Sequence, residues 1–432
     1  MMARRYAGAV ARGLGLLSAA VSLSFTQGAV IYALVAGGVT PAAALGSSFV
    51  ATVVVSLLLL GLVTFARRRR RPVAPRGATP TRRSLPTTLL RAGLLWSLAS
   101  LIGLLTFLRG DVIETESTPA VGKLSVSVVD SRGTGDAMAD TRPLVVVHGG
   151  PGVPLTDDEK GVLAQLATHR MVVIYDQAGT GKSGPLEDPD DYGLDQAVDE
   201  LAGVIDSTGA ATVDILGYSW GASIATVFTA DHPERVGRLA FISPGAIPWH
   251  DAESARFGPQ SRLSGQASIS AYLLALSPRN LFVYAMTSAD PDATRWFADE
   301  AGLDRRFREL YEATAAGLHC SEDRVGPPPA HVGFFASQVP QMHPDRAGVT
   351  AEQLERAAKT PLLVLRGECD YIPARVAGEY LDHFDAKLVA VDGAGHALLE
   401  DRPDRVLSDI ADFLDEDQSG RVSPRGRGSG PR

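Results

Sequence analysis

The stretch Gly217-Tyr218-Ser219-Trp220-Gly221 constrains this chain more than any other. It follows the apolar run 212–216 and precedes a helix-like run from Ala222 to His232. A serine between strand and helix, with a glycine two residues to either side, marks a sharp turn that lifts the hydroxyl clear of a sheet. The glycines tolerate the strained backbone such a turn requires. Ser219 is therefore the candidate nucleophile. The pentapeptide alone is weak, because Gly-x-Ser-x-Gly also occurs as a plain tight turn. The rest of the chain must supply its partners.

The surrounding pattern predicts strands alternating with helices. Residues 124–129 alternate polar and apolar, as a half-exposed strand does, and 144–147 form a short apolar run suited to a strand buried on both faces. A helix is predicted over 157–169, a strand over 171–175 and a helix over 194–207. The elbow strand 212–216 follows, then its helix, then a strand over 236–242. The alternation stops and resumes with a strand at 361–365, a helix at 374–384, a strand at 387–391 and a helix at 405–414. Such an order implies a doubly wound, mostly parallel α/β sheet. The core is read as 111–243 and 361–415, with 244–360 as an inserted helical lid over the strand ends. Residues 416–432, rich in Gly, Ser, Arg and Pro, read as a disordered tail.

Charge divides the chain into two parts. Residues 1–110 carry 13 Arg and no Lys, Asp or Glu, leaving 28 basic and 49 acidic residues after them. The acidic second part argues against a nucleic-acid partner. The basic first part holds three apolar stretches, 14–39, 41–66 and 89–108, whose only charge is Arg91. A crossing helix needs about 20 apolar residues, so three transmembrane helices are expected to anchor the chain in a lipid bilayer. Arg4, Arg5 and Arg12 precede the first stretch, while Arg67 to Arg71, Arg76, Arg82 and Arg83 lie between the second and third. Both regions are expected on the cytoplasmic side, which puts the catalytic part outside the cell membrane. A cleaved signal peptide is the rival reading of the first stretch. Cys320 and Cys369 are the only cysteines; whether they pair is open at this point.

A serine hydroxyl needs a base, and the base a carboxylate to hold it. After Ser219, the end of strand 361–365 runs into Gly367-Glu368-Cys369-Asp370, and the end of strand 387–391 into Gly393-Ala394-Gly395-His396. Both lie just past the carboxyl end of a parallel strand, where this sheet type places its ligands. Asp370 and His396 are the candidate acid and base, with Glu368 and Asp392 as competing acids. The oxyanion hole needs two N–H donors. Trp220 supplies one, and the loop His148-Gly149-Gly150-Pro151-Gly152 the other, from Gly150 or else Gly149. The run 178–183, Ala-Gly-Thr-Gly-Lys-Ser, looks like a phosphate loop, but Asp176 stands where the first glycine belongs and Pro185 and Pro189 follow.

With these motifs in place, the chain resembles the α/β-hydrolase fold, in particular the proline iminopeptidase-like serine peptidases. The loop 148–152, the run Asp176-Gln177-x-Gly179-x-Gly181-x-Ser183 and the elbow carry that resemblance, which covers about 120–415. It implies a Ser–Asp–His triad, removal of an N-terminal residue (often proline) from a peptide, a bracing role for Asp176 and Gln177, and no metal or organic cofactor. Tyr218 departs from the family, where a second glycine is frequent. The family's lid supplies glutamates for the substrate amine; Glu253, Glu300, Glu309 and Glu312 are available, but no motif matches any of them. The expected function is a membrane-anchored serine hydrolase of aminopeptidase type. Alternatives are a carboxylesterase or lipase-like hydrolase of small esters, and a non-catalytic membrane interaction module.

Overall fold

The computed structural model describes residues 27–51, 54–55, 123–129, 141–168, 170–245, 258–342 and 350–416. Residues 14–26 of the first apolar stretch, 52–53 and 56–66 of the second, all of the third, the arginines that precede the first stretch or separate the second from the third, and the tail beyond 416 lie outside them. The chain divides into two compact units, 1–114 with 276–302, and 115–275 with 303–432.

The larger unit is built on a seven-stranded sheet: β1 (Ser125–Val129), β2 (Leu144–Val147), β3 (Val172–Asp176), β4 (Val213–Tyr218), β5 (Val236–Ile242), β6 (Leu362–Gly367) and β7 (Ala386–Val391). Their order is β1-β3-β2-β4-β5-β6-β7, parallel throughout except for β1, which runs antiparallel to β3 at the edge. Alternate residues feed opposite faces. Val145, Val147, Ile215, Phe241 and Val364 pack on one side with helices Leu194–Ser207, Trp220–Asp231 and Ala374–His383. Leu144, Val146, Leu216, Ile242 and Leu365 pack on the other with helices Asp157–Ala164 and Pro403–Asp415. Each fully buried aliphatic side chain stabilises the fold by about 1.5–3 kcal/mol. The central strands are therefore rigid enough to hold a strained turn.

An ion network centred on the buried Asp214 and Arg170 lies near the start of β4. Asp214 accepts from Arg142 at 2.7 Å and from Arg170 at 2.9 Å, and Arg170 reaches Asp415 in the last helix at 2.7 Å. Burial pushes the Asp214 carboxyl up and the two guanidiniums pull it back.

The inserted segment differs from its sequence reading at two points. Helix Ala351–Ala357, read as part of 244–360, sends Leu354 and Ala357 into the main core. Its N-terminus carries a capping box between Thr350 and Gln353, so the core resumes by Thr350. Residues 276–302 group with the N-terminal unit. There Ile31, Val35 and Ala44 share a small core with Met286, Ala293 and Phe297. Residues 27–36 and 41–51 are helical, with a turn at Gly37-Gly38 between them. No helix among the described residues is long and apolar enough to cross a membrane.

One buried carboxyl, Glu159, and one half-buried carboxyl, Glu200, set a pH dependence for the larger unit. Burial pushes Glu159 up to about 7, against the Thr156 hydrogen bonds that favour its charge. Burial likewise pushes Glu200 up to about 7, against the Ala178 N–H and the Gln196 amide. A carboxyl whose folded pKa is raised contributes stability below its ordinary pKa that is lost as pH rises through the folded value. The window is therefore about pH 4.5 to 7. Glu200→Gln keeps an acceptor for Ala178 and cannot ionise. Relative to wild type, it should gain about 1–3 kcal/mol at pH 8 compared with pH 5. Denaturant unfolding at the two pH values measures this; an equal difference at both would refute the raised Glu200 carboxyl.

Candidate active site

The elbow forms as its sequence requires. Ser219 has φ 53° and ψ −114°, and is one of two described non-glycine residues with positive φ. Such a backbone costs about 1–3 kcal/mol, less than Val213, Ile215 and Leu216 of the same strand contribute by full burial. Gly217 and Gly221 are sterically obligatory. A Cβ on Gly217 would lie 2.8 Å from the Ala222 backbone, and one on Gly221 would lie 2.1 Å from the Val147 oxygen. Trp220, buried in the core, starts the helix and anchors it to the sheet.

Strand register places the elbow beside the oxyanion loop. Gly217 pairs with Val147 across β2 and with Phe241 across β5. The chain leaving β2 thus meets the chain leaving β4. Gly149 approaches so closely that a Cβ there would lie 2.9 Å from Ser219 Cβ. Gly150 has φ 108° and precedes a cis peptide bond to Pro151.

The loop 148–152 is braced from two directions. Gln177 N–H donates to His148 Nε2 at 2.9 Å, and its side-chain amide donates to the His148 carbonyl at 2.8 Å. His148 Nδ1 lies 3.0 Å from the Gly149 carbonyl, which assigns its proton to Nδ1. Burial lowers the His148 pKa to about 4, with Asp176 opposing, so the ring is neutral. Asp176 pairs with Lys160 at 2.7 Å and accepts from Lys182 N–H. The run 178–183 is a turn that opens no helix. From the inserted segment, Gly333 N–H donates to the Gly152 carbonyl at 2.9 Å, and Gly181 N–H to the His331 carbonyl at 3.0 Å.

Asp370 and His396 come together. His396 Nδ1 is 3.0 Å from Asp370 Oδ1, which also accepts from Ile372 N–H at 3.0 Å. Both side chains are buried. Burial alone would raise the Asp370 carboxyl, but the combined pull of His396 and the Ile372 N–H holds it below the usual carboxylate range. The Ser243 hydroxyl adds to that pull although no hydrogen bond of standard length joins it to Asp370. The competitors lie elsewhere. Glu368 accepts from Gly393 N–H, and Asp392 is exposed, its backbone carbonyl accepting from Arg402. His396 starts three strands from the elbow, so its loop folds back over the end of β6: Cys369 N–H donates to the Ala394 carbonyl at 3.0 Å. No hydrogen bond joins Ser219 to His396 among the described residues. Nucleophile–base bonds of this kind are often loose until substrate binds.

Parts of the chain are similar to known proteins. A family model described as the alpha/beta hydrolase fold matches residues 142–268. Over that part the chain is similar to the α/β-hydrolase fold. A proline iminopeptidase of Heyndrickxia coagulans is 37% identical over 123 residues, 28% of this chain and 40% of that protein. The match thus spans less than half of that relative. A 2-hydroxy-6-oxo-2,4-heptadienoate hydrolase of Pseudomonas putida is 28% identical over 204 residues, 43% of this chain and 73% of its own. The solved proline iminopeptidase of Mycobacterium smegmatis aligns with 70% of this chain and 98% of its own, at 21% identity and a TM-score of 0.47.

Several residues of the site escaped sequence reading. Tyr218, the departure from the family pattern, donates its hydroxyl to the His396 carbonyl at 2.9 Å and so ties the elbow to the base loop. The Tyr371 ring lies 4.5 Å from the His396 ring. A cavity of about 350 Å³ is lined by Tyr311, Glu312, Leu318, His319 and Glu400 among others; Ser219 and His396 are not in its wall. Of the four glutamates considered, only Glu312 lines it. Glu300 pairs with Arg295, Glu309 is exposed, and Glu253 lies outside the described residues. The cysteines do pair, as Cys320–Cys369 with Cα atoms 5.3 Å apart.

Proposed function

We propose that the chain is a membrane-anchored serine hydrolase, an aminopeptidase of the proline iminopeptidase type. The observation that carries the chemistry is the buried Asp370–His396 pair in a domain whose elbow presents Ser219. Ser219 Oγ attacks the acyl carbon while His396 Nε2 takes its proton. Asp370 holds Nδ1–H and offsets the imidazolium charge. The Trp220 and Gly150 N–H groups receive the oxyanion, each worth a factor of about 10² to 10³. His396 then gives the proton to the leaving amine, the amide C–N bond breaks, and water releases the acyl group by the same steps.

Two observations favour a peptide with a free amine. Relatives named proline iminopeptidase match this chain, and Glu312 and Glu400 give the nearby cavity acidic walls. A small or lipid-like ester is the second reading. The exposed Ile269, Tyr272 and Leu273 on helix Gly265–Ala275 suit an apolar substrate. The anchor is read from stretches 14–39, 41–66 and 89–108, and the arginine bias directs the domain outward. The Cys320–Cys369 disulfide supports that side, since such bonds persist in oxidising compartments.

One labelling experiment separates these claims. A membrane-impermeant fluorophosphonate should label the wild type on intact cells and leave Ser219→Ala unlabelled. Labelling only after lysis would overturn the orientation; equal labelling of both proteins, or of neither, would overturn the nucleophile. Proline arylamide assayed beside short p-nitrophenyl esters then decides the bond, and turnover of esters alone would remove the peptidase reading.

A further inference from the structure

Three consecutive residues of the inserted segment, Leu318-His319-Cys320, touch the loops of both Asp370 and His396. The Leu318 carbonyl accepts from Ala397 N–H at 3.1 Å, directly after His396. His319 Nδ1 is 2.9 Å from Asp401 Oδ1, and Asp401 Oδ2 accepts from Gly395 N–H at 2.7 Å, directly before His396. Cys320 is bonded to Cys369, directly before Asp370. The approach leaves no slack. A Cβ on Gly395 would lie 2.2 Å from the Leu318 oxygen. His319 and Asp401 are both buried. Glu400 lies 3.6 Å from His319 Nε2 and Arg324 3.4 Å from Asp401, so the pair belongs to a charged cluster.

The acid and base loops leave different strands, β6 and β7, so strand pairing alone does not determine the spacing of their tips. The three attachments fall on the neighbours of Asp370 and His396 and leave both triad side chains free to act. We propose that residues 318–320 form a clip that sets the acid loop against the base loop, with His319 and the Cys320–Cys369 bond as positioning groups for the Asp370–His396 hydrogen bond. The clip rests on the hydrolase reading above. Leu318 and His319 also line the neighbouring cavity, so the clip is where the inserted segment meets the triad.

His319→Ala should lower kcat about 10- to 100-fold, the effect of a small misplacement of reacting groups, while KM changes less than threefold. The downfield proton resonance of the His396–Asp370 hydrogen bond should weaken or shift with it. His319→Asn, which restores a donor to Asp401, should recover most of kcat. A dithiol reductant, which gives two electrons and two protons to the disulfide, leaving two thiols as it closes into a disulfide itself, should slow the wild type in the same way; so should the double variant Cys320→Ser, Cys369→Ser. The rate of fluorophosphonate labelling at Ser219 reads each case. If a variant does not fold by circular dichroism, the reduced wild type decides. Unchanged kcat and an unchanged proton resonance in the folded His319→Ala and in the reduced protein would overturn the clip. Absence of labelling in untreated wild type would instead overturn the hydrolase reading.

Discussion

Ser219→Ala should lower kcat/KM by roughly 10⁴- to 10⁶-fold with no loss of fold. The serine contributes little to packing, and alanine inherits the same positive φ at similar cost. The turn is held by groups the substitution leaves in place: the Ser219 N–H bond to the Ile242 carbonyl at 2.9 Å, the two glycines and the buried Trp220. A residual rate well above that of water is expected, because oxyanion donors and substrate binding persist without the nucleophile. Steady-state kinetics with the better of the two substrate classes measures the loss. A fall below tenfold in a folded variant would mean that the hydroxyl is not the attacking group.

Asp370→Asn should cost roughly 10⁴-fold in kcat. An asparagine amide facing His396 Nδ1 donates where the carboxylate accepted, and so drives the ring to the tautomer whose Nε2 carries hydrogen. That nitrogen can no longer take the Ser219 proton. Geometry is nearly unchanged, so the loss reads tautomer and charge rather than shape. Glu368→Gln and Asp392→Asn should remain within a few-fold of wild type, since neither carboxylate touches His396. A large loss in Glu368→Gln beside a mild one in Asp370→Asn would reverse the assignment. The same pair sets an acid limit. Because the folded Asp370 carboxyl lies below its ordinary range, its contribution to stability is present above that range and is lost as pH falls through the folded value.

Much of the α/β core was legible in the chain. Leu144–Val147, Leu194–Ser207 and Val236–Ile242 occupy the ranges that their periodicity predicts. Alternation and helical spacing reflect local backbone geometry, which a short window contains. The antiparallel direction of β1 was not legible, because a five-residue strand reads the same either way along the sheet edge. Nor was the assignment of Ala351–Ala357 to the core. Seven residues with two buried positions are too short to show where their apolar face goes.

The sequence by itself determined the order of parts: oxyanion loop, bracing loop, elbow, then the loops of Asp370 and His396. Each is encoded by residues with special backbone demands or by position after a strand, and both are local properties. Only the tertiary structure decided which carboxylate meets His396, that Cys320 meets Cys369, that Tyr218 reaches the His396 carbonyl, and that residues 276–302 group with the N-terminal unit. Those pairings join residues 26, 49, 178 and more than 200 positions apart. They follow from strand register and from how loops cross strand ends, and no short stretch of sequence records either.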